Sequence, residues 1–289
     1  MGSYLQETLR CKGTKICSPF TREINGKEVI GYVSSGTGEV FAYSEGKHSA
    51  LAYTGGEPYG AVFDAHGKVH IADCAHAAIL RVDLANHSHQ PGIVVKVYEE
   101  KPFRGPSSIA ISPANTTTYF TDSGPLGETT LENPRGSVFC IAANPSGGQI
   151  LKPLALDCLA HPCAVAVSPD SKLVYVAEMM ANRVLRFVQR PPGIYHMSVF
   201  YQFAGGLGPS CIACDTAGRV YVGSYDMAGA DAANGRIYVL SAQGTLEHVL
   251  EVPGQEITGL CVEGTHKMYV TEATTNALHC ISLDAILKS

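Results

Sequence analysis

Five segments of this chain share one grammar, and that repetition limits the possible folds more than any single motif does. They span 58–84, 106–142, 162–188, 209–241 and 258–283. Each opens with a strand of small residues, turns at a Gly, Asp or Asn cluster, and enters a second strand. A second turn then leads to a third strand. The leading positions Pro58, Pro106, Pro162, Pro209 and Thr258 are spaced by 48, 56, 47 and 49 residues. The second strands end at Asp73, Asp122, Glu178, Ser224 and Glu272. A sixth copy is expected about 40 residues upstream, and Tyr32-Val33-Ser34-Ser35 fits it, with Pro19 at the leading position.

A fourth strand follows each third one, at 49–53, 93–98, 150–156, 196–203 and 246–251. After the last repeat only DAILKS remains, too short for a strand, so the segment 4–9 (YLQETL) is assigned as the outer strand of the sixth unit. Four strands per unit and six units describe an all-β, six-bladed β-propeller of antiparallel blades, closed by its N-terminal strand. It forms a single domain over 1–289, with blades near 17–55, 56–103, 104–157, 158–205, 206–253 and 254–289 plus 4–9. Alternate positions of the first strands are small (Gly60, Ser108, Ala164, Cys211, Gly259), as crowding round an axis requires. No segment carries the i, i+3, i+4, i+7 stripe of a crossover helix, which argues against an α/β barrel. The chain has no Trp, which argues against WD-type blades.

Composition narrows the function classes. With 21 Lys+Arg against 26 Asp+Glu and no basic cluster, a nucleic-acid-tracking surface is not expected. No apolar run approaches the ~18 residues needed to cross a bilayer, so no membrane insertion is expected. The start MGSYLQETLRCKG lacks a basic, then apolar, secretory pattern. Ten cysteines in 289 residues fall far below a disulfide scaffold, and most sit in apolar strand-like runs. Reduced thiols and a cytoplasmic location are therefore expected. Cys211 and Cys214 have CxxC spacing, but in a strand they point to opposite faces and cannot serve one metal.

HPCAVAVSPDSKLVYVAEMMANRVLRFV (161–188) resembles the blade signature of the strictosidine-synthase-like and regucalcin/gluconolactonase superfamily. YFTDS (119–123) with its long insertion before GSVF, and the NHL-like FDAHGKVHIAD (63–73), carry the same likeness. In catalytic members, the resemblance implies, a calcium-like ion sits at the channel top. It is held by Asn or Asp just after each leading residue and by a Glu from the first blade. Carried over, those positions are Phe20, Tyr59, Ser107, Cys163, Ser210 and Thr258, with no carboxylate or carboxamide among them. Glu57 precedes Pro58 and lies out of register. The expectation is no cofactor: the usual ligand positions for a divalent metal do not hold its ligands.

Other candidates are weighed individually. Asp73, Asp122, Glu178 and Glu272 form a ring of strand-end acids, expected to accept N–H bonds in turns. His161 and Cys163 offer a base and a thiol near the channel mouth. His87 and His89 fall in a polar turn, expected at the surface. The long connections 123–136 and 224–235 bring Glu128, Glu132, Asp226 and Asp231 as polar groups for a channel rim. Two function classes follow. One is a binding or interaction propeller without the metal cage, taking a small molecule or protein partner at Tyr59, Ser107, Cys163, Ser210 and Thr258. The other is a lactonase/esterase-type hydrolase with altered ligands or no metal.

Overall fold

Among the described residues, strand pairing gives six four-stranded antiparallel sheets and one two-stranded hairpin. In the computed structural model described here, residues 4–24, 26–85, 90–114, 116–144, 146–191, 193–226 and 234–287 are described. From the axis outward, blade 1 holds Ile16–Ile24, Lys27–Ser34, Glu39–Ser44 and Lys47–Tyr53. Blade 2 holds Pro58–Phe63, Val69–Asp73, Ala78–Val82 and Gly92–Val95. Blade 3 holds Pro106–Ile111, Thr117–Asp122, Gly136–Ala143 and Gln149–Leu159. Blade 4 holds Pro162–Val167, Leu173–Glu178, Arg183–Gln189 and Tyr195–Gln202. Blade 5 holds Gly208–Cys214, Val220–Tyr225, Asn234–Leu240 and Leu246–Pro253. Blade 6 holds Ile257–Glu263, Lys267–Glu272 and Ala277–Ser282, with Leu5–Arg10 as its outer strand.

That outer strand closes the ring. Leu5 stands opposite Ile281, Thr8 opposite His279 and Arg10 opposite Ala277. Cys11 N donates to Asn276 O at 2.9 Å, and the Tyr4 hydroxyl reaches blade 5 by donating to Glu251 O at 2.8 Å. Without Leu5–Arg10, the strand Ala277–Ser282 would be the outer edge of a three-stranded blade.

The apolar side chains gather between sheets. Among the described residues each seam between neighbouring blades carries its own buried cluster. Second strands supply the recurrent anchor: Tyr32, Tyr119, Tyr175, Tyr221 and Tyr269 are all buried. A buried phenol needs a partner. Tyr32 pairs with His48 Nδ1 at 2.8 Å, Tyr119 with the Tyr195 hydroxyl at 2.9 Å, and Tyr221 donates to Asp215 Oδ2 at 3.1 Å. His70 takes the tyrosine's place in blade 2 and meets Asp64 at 3.2 Å. Crowding at the axis is direct: a Cβ on Gly60 would lie 3.0 Å from the Ser107 carbonyl oxygen of the next blade.

One expected strand is shorter than its sequence pattern. Residues 93–98 break at Lys96, and Val97–Tyr98 pairs instead with Lys101–Pro102 in a small hairpin. Its turn holds Glu99 and Glu100 at φ of 46° and 66°, the left-handed geometry of a tight hairpin. The short helix Asp284–Leu287 follows the last strand, and no helix among the described residues is long and apolar enough to cross a membrane.

Candidate functional site

Each innermost strand opens with a β-bulge, and the bulges build the site. The ladder skips one residue between Pro58 and Gly60, Pro106 and Ser108, Pro162 and Ala164, Pro209 and Cys211, and Ile257 and Gly259. The skipped residues are Tyr59, Ser107, Cys163, Ser210 and Thr258. A bulged residue leaves the alternation of the strand, and its side chain is re-aimed. Here all five border one cavity of about 370 Å³ at the channel mouth.

Blade 1 corrects the expected register. Ile16 pairs with Ser34 and Cys17 with Val33, and the chain then passes over Ser18 and Pro19 before Phe20 meets Gly31. Ile16, not Pro19, therefore holds the leading place, and Cys17 is the sixth mouth residue. Phe20 has fallen back into the ladder, where it is buried and stacks edge-on against Phe63 at 5.0 Å. The cause is the extra residue in this bulge, which shifts everything after it.

The mouth residues bind mostly to one another's blades. Ser107 Oγ donates to Pro162 O at 3.5 Å, and Cys163 Sγ donates to Pro209 O at 3.2 Å. Ser210 Oγ donates to Ile257 O at 2.5 Å, and Thr258 Oγ1 donates to Ile16 O at 2.6 Å. Four successive blades are thus stitched to the next by a side chain at the position where the metal-binding relatives were expected to hold Asn or Asp. Each of these contacts runs round the ring to a backbone carbonyl of the next blade.

This donor set does not fit a hard divalent cation, which takes six to eight oxygen ligands, chiefly carboxylates and carbonyls. Among the described residues, Glu256 is the one carboxylate bordering the cavity. Among those residues, too, no group of three or more His, Cys, Asp or Glu is placed to hold a metal ion.

The strand-end acids serve the backbone. Asp73 Oδ1 accepts from Glu57 N and His76 N, and Asp122 from Arg104 N and Gly105 N. Glu178 accepts from Ala160 N and from the Arg183 guanidinium at 2.7 Å. Glu272 accepts from Thr274 N and Thr275 N, bonds that help hold its carboxyl below the usual range against the opposing effect of burial. Among the described residues the loop acids do not meet at the mouth. Glu128 lies 3.7 Å from Arg104 on the outer side, Glu132 is exposed, and Asp226 does not border the cavity. Asp231, His87 and His89 lie outside the described residues.

His161 is the group that residue spacing undervalued. It borders the cavity, is only 6% exposed, and its Nδ1 is buried without a hydrogen-bond partner. Burial pushes its pKa down to about 4, so the imidazole is neutral at pH 7. Its backbone is fixed on both sides: His161 N donates to Thr129 Oγ1 at 3.1 Å and Met179 N to His161 O at 3.0 Å. Thr129 belongs to the long 123–136 connection and donates to Ser123 O at 2.9 Å, tying that loop to the imidazole's strand. Cys163 does not pair with it. The thiol's bonds go to Pro209 O and Ala177 O, and burial drives its pKa upward, so it stays protonated and a poor nucleophile. The Tyr59 and Tyr225 phenols are pushed up to about 12, by burial first and then by Glu57 and Glu256 respectively.

Several known proteins share this architecture. A gluconolactonase from Xanthomonas campestris superposes with a TM-score of 0.76 over 95% of this chain and 88% of that one, at 20% identity. The calcium-binding protein regucalcin from Agrobacterium tumefaciens does so with 0.74 over 93% and 90%, at 16% identity. At such identities the likeness shows the fold alone. In sequence, the chain is 27% identical to lactonase drp35 of Staphylococcus aureus (strain MW2) over 170 residues, 57% of this chain and 47% of that protein. It therefore spans about half the length of the curated relatives it matches. The profile of the SMP-30/gluconolactonase/LRE-like region matches residues 126–274, just over half of the chain. With that match on a six-bladed propeller, the chain belongs to the SMP-30/gluconolactonase/LRE-like family.

Proposed function

We propose that the protein is a lactonase- or esterase-type hydrolase that opens a small cyclic or linear ester at the channel mouth without a divalent metal. The observation that carries this reading is the His161 imidazole at the cavity wall, with its Nδ1 buried and unpartnered on the inner side. Kinship with lactonases supplies the reaction class. A neutral imidazole has one nitrogen able to accept a proton. Water adds to the substrate carbonyl carbon as His161 takes the water's proton. The proton then passes to the leaving alkoxide when the C–O bond breaks, giving the hydroxy acid or the acid and alcohol. Tyr59, kept protonated, and Lys15 border the same cavity and offer donors to the carbonyl oxygen as it gains charge. We also place the protein in a reducing compartment such as the cytoplasm, supported by ten free cysteines.

The test is acid release from a panel of γ- and δ-lactones and p-nitrophenyl esters, with EDTA and with added Ca²⁺. Hydrolysis is expected in EDTA, and His161→Asn is expected to lower kcat/KM by about 10²–10⁴-fold, the usual weight of a general base. Loss of activity in EDTA with recovery in Ca²⁺ would overturn the metal-free reading. A second reading has its own support, since the mouth side chains are committed to interblade bonds: a propeller that binds at this mouth without turnover. Saturable lactone binding with no hydrolysis would favour it.

A further inference from the structure

We infer that the mouth selects an apolar ester or lactone, with one carbonyl on an alkyl or aromatic body, over a polyhydroxylated sugar lactone, and that Leu126 is a residue that enforces this choice. The inference rests on the hydrolase reading for its chemistry and on the cavity lining for its selectivity. Two observations carry it.

The first is that the polar floor is already engaged. Ser210 and Thr258 direct their hydroxyl protons at Ile257 O and Ile16 O. Ser123 Oγ donates to Ser107 Oγ at 3.1 Å or to Gly124 O at 3.0 Å, and Ser107 Oγ lies 2.9 Å from Thr121 Oγ1. A sugar lactone would bring several hydroxyls to a floor whose serine and threonine donors are used internally, with Tyr59 and Lys15 left to serve one carbonyl. Each hydroxyl buried without a partner forfeits the water bonds it had in solution. Sites that discriminate for hydroxyls do so with polar groups held free for them.

The second is the apolar rim. Leu126, Met179 and Tyr225 border the cavity alongside Tyr59. Leu126 is 53% exposed and, unlike the more exposed Leu131 of the same loop, borders the cavity, so a ligand seated there would cover it. The loop is built to keep it there. Gly124 turns the chain at φ 70°, Glu128 N closes a turn onto Pro125 O at 3.0 Å, and Thr129 is buried and bonded to both Ser123 O and His161 N. Arg104 anchors the far end by donating from Nε to Arg135 O at 2.9 Å. A leucine on a loop pinned at both ends is a wall of the pocket. At about 370 Å³ the cavity is at the small end of ligand pockets, so one such wall weighs heavily in the fit.

Lactams test this because they bind like lactones and resist turnover. Calorimetric titration of the full chain with a pentyl-substituted δ-lactam and with gluconolactam reads selectivity whether or not hydrolysis occurs. The pentyl lactam is expected to bind at least tenfold more tightly. Leu126→Asp is expected to weaken it by about tenfold or more, the discrimination a lost apolar contact gives. Leu131→Asp, on the same loop but outside the cavity and 66% exposed, is expected to leave its affinity unchanged. Melting temperatures confirm that both variants are folded. Equal or tighter binding of gluconolactam, no binding of either lactam, or unaltered affinity in the Leu126→Asp variant would overturn the inference. Lactam selectivity without lactone hydrolysis would remove the hydrolase reading and leave the selectivity standing.

Discussion

Replacing His161 with Asn should flatten the acid side of this protein's stability curve. An unfolded histidine titrates near 6.5, whereas burial holds His161 at about 4. Between those values the unfolded chain binds a proton that the folded one refuses, so stability must fall as pH drops through this window. At about 1.36 kcal/mol per pH unit, the span from 6.5 to about 4 limits the loss to roughly 3.4 kcal/mol, with about 3 kcal/mol of it reached by pH 4. His70 and His279, also held down by burial, add to the same slope in both proteins and cancel in the comparison. The assay is urea unfolding of wild type and His161→Asn at pH 7, 5.5 and 4. The wild type should lose about 3 kcal/mol more than the variant between pH 7 and 4. Parallel pH dependences would show that His161 is not held neutral by the fold, and the base assigned to it would lose its physical ground.

Two further outcomes test the architecture. Removing residues 1–10 takes away the outer strand of blade 6 and the Tyr4 contact to blade 5, and should lower the melting temperature by on the order of 10 °C or more; an unchanged value would refute N-terminal closure. Phe20→Ala should cost about 3–5 kcal/mol, as for a buried aromatic, while Tyr59→Ala, at the mouth and 37% exposed, should cost under about 1.5 kcal/mol; similar losses would mean that both sit in one environment.

The sequence carried the fold because a propeller repeats itself, and six copies of one strand–turn pattern reinforce each other where a single copy would be ambiguous. The same repetition singled out Tyr59, Ser107, Cys163, Ser210 and Thr258, and a bulge falls at each; in blade 6 the leading place belongs to Ile257, one residue before the expected Thr258. It failed in blade 1 for a physical reason. Pro19 imitates the leading prolines, but the bulge there is one residue longer, and only strand pairing reveals that Cys17 faces the mouth. His161 was legible as a histidine near the channel and no more. Its significance lies in what surrounds it: a burial that keeps it neutral, and an Nδ1 with no partner. Neither property has a spacing signature.

The ring of interblade bonds was also beyond reach, and it changes how the missing carboxylates should be read. Substituting Asn or Asp by Ser, Thr or Cys at a propeller mouth looks in sequence like simple loss of a site. In the fold, those short side chains reach the carbonyl of the next blade, as Thr258 reaches Ile16 and Cys163 reaches Pro209. These bonds hold the blade ends together at the axis, each contributing about 1 kcal/mol. The mouth stays closed to a ring and keeps its cavity, and the hydrolysis we propose would draw on the wall, where His161 stands, rather than on this floor. At this family member's mouth, hydroxyls and a thiol tie the ring together, and one buried imidazole borders the cavity.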